Sequence, residues 1–262
     1  MKIITFLTDF GTNDGYVAQM KGIAASKTYA RLIDITHEIK PHNILEGAFI
    51  LQTTVPHFPP GTVHVAVVDP GVGTDRRGIV IATRTQILVG PDNGLLIPAA
   101  KFLGDFVVYE IKNKKFMSNQ VSNTFHGRDV FTHIASQIIN EIEFDEIGPI
   151  VNDYVDLDFG KTEITDKTAT GKVIYIDSFG NIITNIDGRK LNGVLDFGKK
   201  IKVYLGKRQK QVSFVKTYDM VKKNEILATI GSSNFLEISI NQENASKELG
   251  IKPGESIKIL FS

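Results

Sequence analysis

Acids, arginines and a histidine stand at Gly-punctuated points of this 262-residue chain where loops can gather them. In VVDPGVGTDRRG (67–78) Asp69 ends an apolar run, and Arg76 and Arg77 close the loop. Pro70, Gly71 and Gly73 let the backbone fold back, so that the carboxylate and a guanidinium meet over one small volume. Two outcomes are open from the residues alone: a turn-spanning ion pair, or an acid and a fixed cation converging on a bound nucleophile. The loop carries no Gly-Lys-Ser/Thr, so it is not a phosphate-cradling P-loop.

Three further loops carry candidate chemistry. In TDFGTNDG, Asp9 directly follows an apolar run, a position from which a carboxylate can accept both hydroxyls of a ribose. Asp14 in the same loop is explained by helix N-capping. In TFHGRD (124–129), His126 stands at the start of a helical pattern, where the helix dipole disfavours imidazolium and leaves a neutral ring able to act as a base. In IDSFGNIITNI (176–186), Asp177 and Asn181 bracket Phe179 and Gly180: an acid for an ammonium group, an amide able to read a base, and an aromatic face, or simply a Gly turn with a polar rim. The remaining histidines, His37, His42, His57, His64 and His133, pair with no carboxylate at metal-site spacing, and no HExxH occurs. No metal is expected.

These loops need a scaffold. IITFLT (3–8), RLIDIT (31–36) and TVHVAVVD (62–69) predict strands. Between them lie a helical pattern through Val17, Met20, Ile23 and Ala24, and a second opened by Asn43 with Ile44, Ala48, Leu51 and Val55 on one face. Strand and helix in alternation predict parallel βαβ units, with ligand loops at the carboxyl ends of the strands. GIVIAT (78–83) and QILVG (86–90) predict a hairpin added to that sheet, and 126–141 a helix with Val130, Ile134, Ile138 and Glu141 at turn spacing. After Ile150 the chain turns polar, then runs through KVIYID, NIITNI, KIKVYLG, QVSFVK, EILATIG, FLEISI and ESIKILF. Short strands between turns predict a small antiparallel sandwich or barrel. The expected fold is α/β: an N-terminal, mostly parallel sheet flanked by helices (1–155), a linker (156–167) and a smaller all-β barrel (168–262).

Composition excludes several classes. Lys and Arg number 30 against 29 Asp and Glu, so no excess of charge argues for nucleic acid or an anionic membrane. The absence of cysteine excludes disulfides and thiolate nucleophiles. No apolar run reaches the roughly 18 residues of a membrane span, and MKIITFLTDFG lacks a signal-peptide pattern. A cytoplasmic location is expected.

FLTDFGTNDGYVAQMKG, VDPGVGTDRRG, VGPDNGLL, TFHGRD and IDSFGNIITNI, in this order and across both halves, resemble the S-adenosyl-L-methionine (SAM) hydroxide adenosyltransferases, relatives of adenosyl fluorinases and chlorinases. The resemblance implies an α/β domain and a β-barrel assembled as a homotrimer, with substrate between one subunit's N-terminal and a neighbour's C-terminal domain. It implies attack of water or hydroxide on the ribose 5′ carbon of SAM, yielding adenosine and L-methionine, with SAM as substrate and no cofactor. Asp69, Arg76 and His126 match the family's catalytic Asp-Arg-His. Asp9 matches the ribose acid, Asp177 the acid facing the methionine ammonium, and Asn181 the amide reading adenine. Phe179 falls near the base and Ser232 at the methionine carboxylate. The halogenases differ by a tyrosine at Asp69 and by lacking the Arg76–His126 pairing, and a charged acid there repels halide but tolerates water. Gly127 stands where fluorinases have serine and chlorinases glycine, and no inserted loop interrupts 78–90. The rival expectations are a halide-using, chlorinase-like adenosyltransferase and a non-catalytic adenosine- or SAM-binding protein.

Overall fold

A computed structural model describes residues 1–191, 193–206 and 208–261, in two units, Met1–Asp158 and Phe159–Ser262. In the first unit, β1 (Ile3–Thr8) is buried along its whole length, as a strand covered on both faces must be. α1 (Tyr16–Lys27), β2 (Arg31–Thr36), α2 (Ile44–Thr54) and β3 (Val63–Val67) follow, and β1 pairs in parallel with both β2 and β3. Asn43 caps α2 reciprocally: its Oδ1 accepts from Glu46 N at 3.2 Å, and its Nδ2 donates to Glu46 Oε2 at 2.8 Å. Asp14 does not cap α1. Gly15 holds that position without a side-chain bond, and Asp14 is exposed.

The hairpin of β4 (Gly78–Thr83) and β5 (Ile87–Pro91) joins the sheet through its second arm, β5, which lies parallel to β3. α3 (Ile97–Leu103) then leads to β6 (Phe106–Glu110), giving among the described residues the order β2-β1-β3-β5-β4-β6. Neither α3 nor β6 was expected from the sequence: seven residues are too short to display a helical period, and β6, FVVYE, does not alternate between buried and exposed positions. The expected helix over 126–141 opens instead as a π-helical turn, Gly127–Phe131, in which Thr132 N bonds Gly127 O, and only then becomes α4 (Thr132–Ile139). Glu141 lies beyond it in a left-handed conformation (φ 68°), paired with Lys2 rather than on the helix face. α5 (Phe144–Ile147) closes the unit. Phe6, Met20, Val65, Val80, Phe131 and Ile134 belong to its core.

The second unit comprises β7 (Glu163–Ile164), β8 (Thr168–Ile176), β9 (Ile182–Asp187), β10 (Lys200–Leu205), β11 (Arg208–Phe214), β12 (Ile226–Ile230), β13 (Phe235–Ile240), α6 (Ala245–Leu249) and β14 (Ser256–Leu260). The strands pair in the order β14-β10-β11-β12-β13-β9-β8-β7, and a β14–β8 ladder closes the barrel. Closure removes the exposed edges that an open sheet of this size would carry. Alternation along β10 and β14 turns Ile201, Val203, Leu205, Ile257 and Ile259 inward. The barrel is not wholly antiparallel, since β11 and β12 run parallel. The stretch read as a linker carries β7, and the carbonyls of Phe159 and Gly160 accept from Asn185 Nδ2. Among the described residues no helix is long and apolar enough to cross a membrane.

Candidate active site

Thr8 and Val67 are register partners on adjacent parallel strands, so Asp9 and Asp69 leave the same edge of the sheet. After Asp69 the chain folds through a tight loop in which Val72 N bonds Asp69 O (3.2 Å) and Thr74 Oγ1 bonds Gly71 O (2.7 Å). Gly73, at φ 79°, packs where an added Cβ would lie 2.4 Å from the carbonyl oxygen of Asn123. Only glycine lets this loop touch the segment that carries His126.

The loop returns Arg76 onto Asp69. Arg76 Nε donates to Asp69 Oδ1 at 3.1 Å and Nη2 to Oδ2 at 2.5 Å, a bidentate pair with side chains 9% and 5% exposed. Nη2 also donates to His126 Nδ1 at 3.1 Å, and Nη1 to Arg77 O at 3.0 Å. Among the described residues this occupies four of the five guanidinium N–H groups and leaves one Nη1 proton for a ligand. The ring of Phe131 lies 5.4 Å from the guanidinium carbon. Arg77 turns away, bridging the buried Asp92 (2.7 Å) and the exposed Asp153 (2.8 Å).

His126 directly precedes the π-helical turn, a feature frequent at functional sites. Its segment is tied down by Asp129, which accepts from Ser122 N at 2.9 Å and from both Arg128 Nε and Nη2. The bond from Arg76 occupies Nδ1, so the proton of the neutral ring sits on Nε2. Burial, then the Arg76 charge, lowers the His126 pKa, against the opposing pull of Asp69 and Asp129. The neutral ring expected from the sequence thus arises from desolvation and a neighbouring cation. Burial pushes the Asp69 carboxyl up, opposed by Arg76 and His126. The centre is therefore an ion pair of zero net charge beside a neutral imidazole. Among the described residues no three His, Asp or Glu side chains cluster as metal ligands.

Asp9 is half-buried, and its Oδ2 accepts from His42 N at 2.8 Å. The other candidates all line one cavity of about 1070 Å³ in the second unit. There Asp177 Oδ1 accepts from the backbone N of Phe179 and Asn181, and Asn181 Nδ2 donates to Asp177 Oδ2 at 2.8 Å. The two side chains, read from sequence as separate contacts, are thus bonded to each other. Among the described residues Asn181 Oδ1 has no partner and is left for a ligand. Phe179 is 77% exposed, and Ser232 is exposed. The cavity also holds two groups that sequence reasoning missed. Tyr218 donates to Glu237 Oε1 at 2.7 Å, as does Ser239, and Glu237 is only 5% exposed. Burial and then Glu237 raise the Tyr218 pKa. The available signal was an acid inside the apolar strand FLEISI.

Residues 4–148 match the SAM hydroxide adenosyltransferase N-terminal domain, and residues 171–258 the C-terminal domain of the same family. The chain is 40% identical to a protein of Methanocaldococcus jannaschii named (R)-S-adenosyl-L-methionine hydrolase, covering 100% of this chain and 97% of the relative. A Salinispora tropica protein of the same name is 36% identical, over 98% of this chain and 97% of its own. A fluorinase of Nocardia brasiliensis is more distant, 25% identical over 98% of this chain and 96% of its own. A crystal structure of an uncharacterized conserved protein from Thermotoga maritima superposes with a TM-score of 0.93 at 35% identity, covering 98% of this chain and 100% of that one. With both of its units matched and this identity over its full length, the chain belongs to the SAM hydroxide adenosyltransferase family.

Proposed function

We propose that the chain hydrolyses SAM to adenosine and L-methionine at Asp69, Arg76 and His126. Water attacks the ribose 5′ carbon in line with the sulfonium. An O–C5′ bond forms, the C5′–S bond breaks with its electron pair passing to sulfur, and methionine leaves as a neutral thioether. The water gives up one proton. The observation that carries this reading is the bidentate Asp69–Arg76 pair with His126 bonded to the same guanidinium nitrogen. The free Nη1 proton of Arg76 holds the water oxygen. Asp69, its basicity raised by burial, receives the proton. His126, neutral, with Nδ1 engaged by Arg76 and its ring tied to the Ser122 backbone, fixes the guanidinium beside the nucleophile. Because Asp69 already neutralises Arg76, a halide meets no net positive charge there, which favours water over chloride. The substrate brings its own leaving group, so positioning and desolvation of the nucleophile supply the acceleration, without a cofactor or metal.

Asp9 binds the ribose hydroxyls. Asp177 faces the methionine ammonium, Asn181 Oδ1 accepts from the adenine amino group, Phe179 covers the base, and Ser232 binds the methionine carboxylate. The relatives' names support the (R) epimer at sulfur as the substrate form. The working assembly is a homotrimer with sites between subunits. Opposite charges in the two units support association between copies: 13 Lys and Arg against 18 Asp and Glu up to Asp158, and 17 against 11 beyond it. A cytoplasmic location belongs to the same reading, supported by a small substrate that calls for no membrane contact.

The test is incubation with SAM in ¹⁸O-water, with and without chloride. Adenosine carrying ¹⁸O at its 5′ oxygen, plus methionine, under both conditions is expected. A chlorinated nucleoside formed only with salt would replace this reading by the halogenase one. Binding without turnover, unchanged by His126→Ala, would replace it by a binding protein.

A further inference from the structure

Behind Asp9 runs a chain of polar contacts that begins on α1. Lys21 Nζ donates to Asp34 Oδ2 at 2.9 Å, and Asp34 Oδ1 lies 3.1 Å from Nε2 of His37. His37 is only 4% exposed, and its Nδ1 is 2.8 Å from Thr8 Oγ1. Thr8 is fully buried, and the same hydroxyl accepts from Phe10 N at 3.2 Å. Thr8 Oγ1 and His37 Nδ1 share one hydrogen bond, and Nε2 lies buried beside Asp34 Oδ1 without an aligned hydrogen bond of its own among the described residues. A second set of bonds ties the same two loops together. Gly11 N donates to His37 O at 2.8 Å, and His42 N donates to Asp9 Oδ2 at 2.8 Å. His42 makes that bond from a left-handed backbone, φ 65°, which a residue with a side chain adopts at a cost. Asp9 is thus flanked on both sides, at Thr8 and at Phe10–Gly11, by atoms bonded directly or through one hydroxyl to His37.

We propose that His37 is a positioning residue for Asp9: it fixes the plane of the carboxylate and so sets the selectivity of the site for a vicinal diol. The inference rests on Asp9 binding the ribose. A carboxylate accepts two adjacent hydroxyls only when its oxygens are held to within about half an ångström of the right geometry. With one lone pair of Oδ2 already committed to His42, the tilt of the group decides whether the remaining lone pairs reach both hydroxyls. On Asp9 itself the bond from His42 N fixes Oδ2 alone. The rest of the restraint comes from the backbone on either side, and His37 supplies the buried part of it.

The experiment compares dissociation constants of adenosine and 2′,3′-dideoxyadenosine for the full chain, for His37→Ala and for Thr8→Val, which removes the hydroxyl at nearly constant shape. The unaltered chain should prefer adenosine by roughly 100-fold, the worth of two hydrogen bonds to a charged acceptor. Both variants should lose roughly tenfold or more of that preference while binding the dideoxynucleoside as before. A role in general stability would weaken both nucleosides alike, and an unchanged ratio in the variants overturns the inference. If His37→Ala does not fold, Thr8→Val decides the question alone. Equal binding of the two nucleosides by the unaltered chain would instead overturn the assignment of Asp9, and this inference with it.

Discussion

Asp69→Asn probes the centre of the site with almost no change in volume. Asp69 accepts two charge-assisted hydrogen bonds from a guanidinium that is itself 9% exposed. An amide offers one oxygen to those donors and turns its NH₂ toward the other, so one bond is lost and the Arg76 charge is left buried without a counter-ion. Removing one partner of a buried pair costs about 3–5 kcal/mol. For a unit of this size each kcal/mol lowers the midpoint by about 2–4 °C, so thermal unfolding should shift down by about 6–20 °C. Turnover should fall by roughly 10²–10⁴-fold, the usual contribution of a proton acceptor. A third consequence is specific to the charge balance. With Arg76 uncompensated, an anion can enter, so millimolar chloride should raise the melting temperature of Asp69→Asn and leave that of the unaltered chain in place. Differential scanning calorimetry and a methionine-release assay read all three effects. A variant that melts with the unaltered protein and turns over within threefold of it would refute the roles given to the pair.

Three further perturbations follow from the same geometry. Gly73→Ala forces a side chain into a left-handed conformation, at about 1–2 kcal/mol, and into the Asn123 carbonyl. Its loop should separate from the His126 segment, lowering turnover by roughly 10²-fold for a shift near 1 Å, measured beside a midpoint drop of about 2–8 °C. Burial and Arg76 lower the His126 pKa, so its catalytically active neutral form persists below the ordinary 6.5. kcat/KM should be level from pH 8 down to 6.5 and fall only on the acid side of that value, and a limb at or above 6.5 would contradict the assignment. Burial likewise lowers the His64 pKa to about 4. The unfolded chain then binds the proton first as pH falls, so about 3 kcal/mol of stability should be lost between pH 6.5 and 4. His64→Gln should flatten that part of a urea-unfolding pH series.

The barrel strands were legible because turn residues punctuate them and several carry the inward–outward period. KIKVYLG and ESIKILF show it plainly, and their alternate residues are the buried ones. The parallel strands of the first unit were legible as continuous apolar runs. What escaped was structure whose signal is not periodic. α3 is too short to show a period, β6 does not alternate, and the π-helical turn at 127–131 closes its hydrogen bond over five residues where the helical spacing assumes four. Asp14 carried the right chemistry for a cap, yet Gly15 took the position. Glu237 escaped because an acid in an apolar strand has no local reason to be there. Its hydroxyl partners, Tyr218 and Ser239, reach it from a different loop and from the far side of one strand residue.

Residue types and their spacing, taken alone, determined which atoms were available: an acid and two arginines around a loop that glycine and proline allow to close, a histidine at a helix start, and an acid–aromatic–amide turn in a β-rich half. Local chemistry sufficed there, since loop closure and strand period depend on neighbours in sequence. Arg76 and Arg77 show where it stops. They are identical in type and adjacent, and on an extended segment successive side chains point to opposite sides. Only the packed fold decided that Arg76 meets Asp69 and His126 while Arg77 meets Asp92 and Asp153. The perturbed acidities of Asp69 and His126 were likewise decided by tertiary structure, because desolvation and the charge across a loop are properties of the surroundings that packing creates.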